Sequence, residues 1–258
     1  MENTAMREGA ASASRPLALI AAGGEGKRLG ADGPKALVLC SGRPLLAWCL
    51  DAFAASSTFA AGAGLVVVAA HASDLPAFEA ACEPARNAGL DVLVVEGGKS
   101  RSHSVAAALR AGIEVAGSTG HVFVHDAARI FTTAGLIDGL GGALAEYPPD
   151  VAGLIAARPV TDTIKLVDDR GDVHETPPRE RLWAVQTPQV FRGEVLADAL
   201  GVTAPVADAE IATATDDASL VEARGHRVKV FEWSAPNEKV TTPEDLRSAQ
   251  ARLDRSSA

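Results

Sequence analysis

Aromatic side chains are scarce in this 258-residue chain, which has seven Phe, three Trp and one Tyr. That leaves few stacking platforms for a reader of single-stranded nucleic acid. Positive charge is also in deficit: 24 Lys and Arg against 33 Asp and Glu give a formal net charge of −9. Such a balance argues against a broad nucleic-acid or anionic-membrane surface. Cysteine is limited to Cys40, Cys49 and Cys82, an odd number without a C-x-x-C pair. A disulfide framework or a thiolate zinc site does not fit this pattern, and a reducing cytoplasm does. No apolar run reaches the roughly 18 residues of a membrane span. Residues 1–15 are polar and Ala/Ser-rich, without the apolar segment of a signal peptide. They read as a disordered extension ahead of one domain over 16–258.

What is abundant is alternation. Short β-branched or apolar runs at 17–22, 64–70, 91–95, 121–124 and 151–157 predict strands. Helical spacing falls between them, at 44–54, 75–88, 102–116 and 134–146. This rhythm predicts βαβ units and an α/β fold with a mostly parallel sheet. It breaks after Val160. Strand-like runs at 161–167 and 182–186 flank a turn signal, Asp168-Asp169-Arg170-Gly171, and the pair Pro177-Pro178. A projecting β-arm over about 161–186 fits better than another crossover. A late strand at 227–233 and a helix at 243–253 complete the chain.

The first predicted strand runs into Ala21-Ala22-Gly23-Gly24-Glu25-Gly26-Lys27-Arg28-Leu29, with Pro34-Lys35 beyond it. Backbone that approaches a phosphate closely needs glycine, because a Cβ would block the approach. Arg28 and Lys35 supply charge that amides alone cannot. The loop lacks G-x-x-x-x-G-K-[ST], so it is not a Walker A loop. It also lacks the third glycine and the later acidic residue of a dinucleotide fingerprint. A nucleotide triphosphate loop is the better reading, against a plain structural turn.

Gly97-Gly98-Lys99-Ser100-Arg101-Ser102-His103-Ser104 joins a strand to a helix start. It suits an anionic ligand, or simply a helix capped by Ser102 or Ser104. His125-Asp126-Ala127-Ala128-Arg129 ends another strand. There Asp126 suits Mg²⁺ or a ribose hydroxyl and Arg129 a second phosphate, unless the two form a surface ion pair. His121 and His125 read as packed strand residues rather than metal ligands. Thr215-Asp216-Asp217-Ala218-Ser219 looks like a capped helix start, and Lys239 falls between the last strand and the last helix. In a parallel sheet these loops share the edge where ligands bind.

Seven motifs taken together carry a resemblance: AAGGEGKRL with PK, GGKSRSHSV, VHDAAR, DTIK, QTPQ, TDDASLVE and EKVTTPEDL. In this order, across about 17–248, the chain resembles the 2-C-methyl-D-erythritol 4-phosphate cytidylyltransferases of the non-mevalonate isoprenoid pathway. The first motif is common to many nucleotidyltransferases; HDAAR, QTPQ and TDDAS are more specific. The resemblance implies a Rossmann-related, GT-A-like nucleotidyltransferase fold. It also implies a homodimer in which one subunit's arm covers its partner's site, with CTP, the polyol phosphate and Mg²⁺ as ligands. On this footing Arg28, Lys35, Arg179 and Lys239 are catalytic. Ala22, Gly23, Gly24, Gly98, Lys99, Ser104 and Asp126 meet the nucleotide, Asp126 lying near its metal. Arg129, Thr163, Arg179, Thr187, Thr215 and Lys239 meet the polyol phosphate, with Thr163 and Arg179 coming from the partner's arm.

Three positions depart from the family pattern: Lys99 stands where an acidic residue is common, Ile130 where proline is, and Ala36 where glutamine is. Rival readings are a ribitol-5-phosphate cytidylyltransferase, a sugar-1-phosphate uridylyltransferase, and a non-catalytic nucleotide-binding module.

Overall fold

The computed structural model describes residues 14–30, 32–117 and 120–256. Most of the extension expected over 1–15 lies outside the described residues. Arg15, at its end, is anchored rather than free. Its guanidinium donates to the carbonyls of Gly62 (3.1 Å) and Gly64 (2.9 Å) and pairs with Asp91 (2.6 Å). The ordered domain therefore begins before position 16.

The centre is a seven-stranded sheet. Its first four strands are β1 (Leu17–Ala21), β4 (Leu65–Ala70), β5 (Asp91–Glu96) and β6 (His121–Asp126); β2 (Leu39–Cys40) and β3 (Arg43–Pro44) form a small separate hairpin. The remaining sheet strands are β7 (Val151–Pro159), β10 (Trp183–Arg192) and β11 (Arg227–Glu232). Their order is β11-β7-β10-β6-β1-β4-β5. β1 pairs in parallel with β4 and β6, and β11 with β7, while β10 runs antiparallel to both β6 and β7. The mostly parallel α/β expectation is borne out. The run predicted at 182–186 is the beginning of β10, so it belongs to the main sheet and not to the arm.

Strand alternation divides the core. Ala18 and Ile20 of β1 face one layer, built on α1 (Leu45–Ala55), α2 (Leu75–Asn87) and α4 (Ala134–Glu146). Leu17 and Leu19 face the other, built on α3 (Arg101–Ala116) and two short helices, α5 (Gly193–Ala199) and α7 (Asp217–Ala223). Both faces of the strands are thus covered, which is why they read as continuous apolar runs. A further short helix, α6 (Asp208–Thr213), lies between α5 and α7 in sequence. A third apolar cluster joins Leu29, Ile130 and Val240 to Ala249 of the last helix, α8 (Pro243–Ser256). It backs the loops at the ligand edge.

The arm leaves after β7 and returns at β10. Its hairpin is β8 (Leu166–Val167) and β9 (Val173–Glu175), which pair only with each other. The turn signal forms as expected: the Asp168 carboxylate accepts from the backbone of Arg170 and Asp172 (2.9 Å each), and Gly171 takes φ +87°.

Candidate active site

Ala21 of β1 lies in register with Asp126 of β6. Chain order reverses about this pair, since β4 and β5 lie to one side of β1 and β6 to the other. Such a switch point opens a crevice at the carboxyl ends of the strands. A cleft of about 350 Å³ occupies it, floored by Ala22–Glu25 and walled by Gly98–Arg101, Asp126 and Lys239. Arg28 and Lys35 reach into it.

The glycine loop is closed by its own backbone. Gly26 N–H donates to Gly33 O, and Lys35 N–H to Gly24 O, both at 2.9 Å. Single 3₁₀ turns at Lys27–Leu29 and Lys35–Leu37 bury Leu29 and Ala36, which fixes the neighbouring Arg28 and Lys35 over the cleft. A Cβ on Gly24 would meet nothing within 4 Å, and one on Gly23 only the His71 backbone at 3.9 Å. The fold itself does not demand these two glycines; the room they leave opens into the cleft. Gly98 is different. A Cβ there would sit 2.4 Å from the His103 Cβ, so close packing against α3 requires it.

The cap of α3 is Ser100, which accepts from His103 N–H, and not Ser102 or Ser104. The Ser104 hydroxyl accepts from Gly98 N–H (3.1 Å) and donates to Ser100 O (3.0 Å), holding the turn in shape. Lys99 pairs with Asp208 of α6, which also meets His103 Nε2 at 2.9 Å.

Electrostatics separate the cations into two kinds. Among the described residues no carboxylate lies within ion-pair distance of Arg28 or Lys35. Burial, with Lys239 and Arg28 nearby, pushes the Lys35 ammonium down to about 8. Lys239 is instead paired: its Nζ donates to Asp126 Oδ2 at 2.7 Å. Burial alone would raise the Asp126 carboxyl, but Arg101 and Lys239 outweigh it and hold the group well below the usual carboxylate range. Asp126 is therefore a fixed anion flanked by cations.

His125 is fully buried, edge-on to Phe53, and burial pushes it down to about 4, so it is neutral. Its Nε2 faces the Arg129 carbonyl (3.3 Å), which can only accept, so Nε2 carries the hydrogen. Nδ1 then accepts from the Thr187 hydroxyl (3.1 Å), whose oxygen accepts from Asp126 N–H (3.0 Å). Thr187, expected to meet the polyol phosphate, is buried and is not among the residues lining the cleft. It braces the backbone of Asp126 from behind. Arg129 lies behind the cleft as well, its Nη1 donating to Asn237 O (2.8 Å), while its buried Nε has no partner among the described residues. Thr215 is exposed just before α7. Thr163 and Arg179 sit on the arm, where Arg179 Nη1 donates to Thr161 O (3.0 Å), and neither lines this chain's own cleft.

Sequence reasoning quoted Arg101 and Asp217 within motifs and gave neither a role. Arg101 Nε meets Asp126 Oδ1 at 2.9 Å and its Nη1 meets the fully buried Asp217 at 2.7 Å. One signal was available: a cation in the first turn of a helix opposes the macrodipole and calls for carboxylates beside it.

The cleft wall offers two carboxylates. Both oxygens of Asp126 are paired, and Glu25 pairs with Lys27. Among the described residues no cluster of three His, Cys, Asp or Glu could hold a metal ion alone. This donor set fits a cation carried in on phosphate oxygens with Asp126 beside it, as Mg²⁺ commonly binds.

A glycine-floored cleft at a switch point, with two unpaired cations and one clamped carboxylate, defines a nucleotidyltransferase-type site. The family model of 2-C-methyl-D-erythritol 4-phosphate cytidylyltransferase (IspD) matches residues 17–255. A protein of that name from Prochlorococcus marinus is 43% identical over 235 residues, covering 90% of this chain and 96% of the relative. One from Frankia casuarinae is 39% identical, covering 93% and 82%. The crystal structure of the Thermus thermophilus cytidylyltransferase superposes with a TM-score of 0.70 at 32% identity, covering 93% of this chain and 99% of that one. The chain belongs to the 2-C-methyl-D-erythritol 4-phosphate cytidylyltransferase family.

Proposed function

We propose that this protein transfers the cytidylyl group of CTP to 2-C-methyl-D-erythritol 4-phosphate, giving 4-diphosphocytidyl-2-C-methyl-D-erythritol and pyrophosphate. Within a chain that the family model matches over residues 17–255, the observation that carries the reading is the placement of Arg28 and Lys35. They stand without carboxylate partners over a floor that leaves room for a triphosphate. A phosphate oxygen of the polyol phosphate forms the new bond to the α-phosphorus, and the bond to the oxygen bridging α and β breaks. That oxygen leaves with pyrophosphate. The attacking phosphomonoester has a second pKa of about 6 and is largely dianionic at pH 7. It needs no general base, in keeping with His125, next to Asp126, being neutral, buried and engaged at both nitrogens.

Catalysis is then positioning and charge stabilisation. Arg28 and Lys35 hold the α-phosphate and the leaving group. Lys239, steered by Asp126, holds the incoming phosphate. Mg²⁺ bound to the triphosphate beside Asp126 would add charge where the α-phosphate and pyrophosphate need it. Arg179 and Thr163 act in a partner's cleft, which makes the working unit a homodimer with exchanged arms. Supporting this, Leu166, Val167 and Val173 on the arm hairpin are each about half exposed or more (48%, 56% and 60%), and an isolated two-stranded hairpin is marginal in water. A cytoplasmic location suits three buried free cysteines. Among the described residues no helix is long and apolar enough to cross a membrane.

The test is a panel of CTP and UTP against 2-C-methyl-D-erythritol 4-phosphate and ribitol 5-phosphate, read as pyrophosphate release with Mg²⁺. The expected pair is CTP with the methylerythritol phosphate. Faster turnover of any other pair overturns the assignment, and release from none of them makes the chain a binding module.

A further inference from the structure

Among the described residues, Arg101 is the one cation on the cleft wall that pairs with two carboxylates from different elements. Asp126 closes β6, on the side of the cleft shared with the glycine loop. Asp217 opens α7, immediately after Thr215 and Asp216. The α7 start is tied to the sheet a second time, by Gln189 Nε2 donating to Asp216 Oδ2 at 2.9 Å. Asp217 has no exposed surface, and its other oxygen, Oδ1, is buried without a hydrogen-bond partner among the described residues. Arg101 is thus the only cation paired with this buried carboxyl among the described residues, opposing the burial that pushes the carboxyl up. A buried carboxyl left without a partner is costly. The same guanidinium occupies Asp126 Oδ1, which leaves Oδ2 to orient the Lys239 ammonium.

We propose that Arg101 is a positioning residue that locks the start of α7, beside Thr215, and the cleft residue Lys239 to the turn expected to carry the nucleotide. It does so by bridging Asp126 and Asp217 with one rigid guanidinium. This rests on the cytidylyl-transfer reading and assigns that site a part not otherwise accounted for. A lysine at 101 keeps the charge but, as a point donor on a flexible stem, does not reproduce a bridge made through two fixed nitrogens.

The experiment compares Arg101→Lys, Asp217→Asn and the double variant with the unmodified enzyme. Pre-steady-state CTP binding, steady-state constants for each substrate, and hydrogen exchange of residues 217–223 without ligand are all measured. In both single variants kcat/KM for the polyol phosphate should fall by roughly 10- to 100-fold, since a displacement near 1 Å has effects of that order. In Asp217→Asn, CTP affinity should change by less than about threefold, because that variant leaves the Arg101–Asp126 contact beside the nucleotide in place. Exchange in α7 should rise. The double variant should be no worse than the poorer single one, as both break the same bridge. Asp217→Asn is nearly isosteric and carries the test if Arg101→Lys does not fold. Unchanged acceptor kinetics in a folded variant, equal losses for both substrates in Asp217→Asn, or additive effects overturn the proposal. An unmodified enzyme inactive on these substrates overturns the reaction instead, while the exchange measurement still reports on the bridge.

Discussion

Lys35 offers the sharpest quantitative consequence of the cleft's electrostatics. It is partly buried, has no carboxylate partner, and faces Arg28 and Lys239, so in the free enzyme its ammonium gives up its proton at about 8. An unperturbed lysine does so near 10.4. With a midpoint near 8, Lys35 is about 90% charged at pH 7 and about 10% charged at pH 9. CTP brings its phosphate charge to that ammonium and favours the protonated form. Binding should therefore take up a proton above neutral pH. Because kcat/KM reports the free enzyme and kcat the complex, the two profiles should part. The value of kcat/KM for CTP should fall about tenfold per pH unit above 8, while kcat holds to higher pH. The assay is initial pyrophosphate release between pH 6.5 and 9.5 at saturating polyol phosphate, with Lys35→Arg as control. Arginine stays charged throughout, so the control should be slower but flat. A flat wild-type kcat/KM to pH 9.5, or the same descent in Lys35→Arg, refutes the reasoning.

Arg28→Ala and Lys35→Ala should keep the wild-type melting temperature and lose roughly 10²–10³ in kcat, the scale seen when a preorganised donor is removed; calorimetry and turnover together check this. Gly24→Ala should leave the melting temperature unchanged and raise KM for CTP, because the added methyl occupies ligand space. Gly98→Ala should lower stability by about 1–3 kcal/mol, because its methyl collides with His103; denaturant titration separates the two glycines. If the arm acts on a partner's cleft, mixing inactive Lys35→Ala and Arg179→Ala chains should restore about a quarter of wild-type activity, since half the dimers then carry one intact site out of two. No recovery after subunit exchange would show that each arm serves its own cleft.

The parts of this protein legible in sequence are those written locally. The alternation of short β-branched runs with helical spacing marked most strands and helices to within a few residues, because burial on both faces leaves a signal in every strand. The glycine loop, the 97–104 turn and the 125–129 segment were legible as ligand-edge loops because each follows a strand directly. The arm's return was misplaced because residues 182–186 are strand-like whether they pair with the arm or with β7, and only the observed register of Trp183 with Pro159 decides. The Arg101–Asp217 contact joins positions 116 apart in sequence, so no local pattern encodes it. Thr187 was expected to face substrate, and only the fold shows its hydroxyl caught between His125 and the Asp126 amide. The glycines likewise look equivalent in sequence. Their neighbours distinguish Gly24, which borders open cleft, from Gly98, which is pressed against a helix.

The proposed reaction turns on direct attack by the polyol's own phosphate on the α-phosphorus of CTP. It is tested most directly with 2-C-methyl-D-erythritol 4-phosphate carrying ¹⁸O in its non-bridging phosphate oxygens, followed by ³¹P NMR and mass analysis of both products. The account predicts ¹⁸O in the new P–O–P bridge of the cytidylylated product and none in pyrophosphate. Label in pyrophosphate, or a bridge oxygen drawn from CTP, contradicts it.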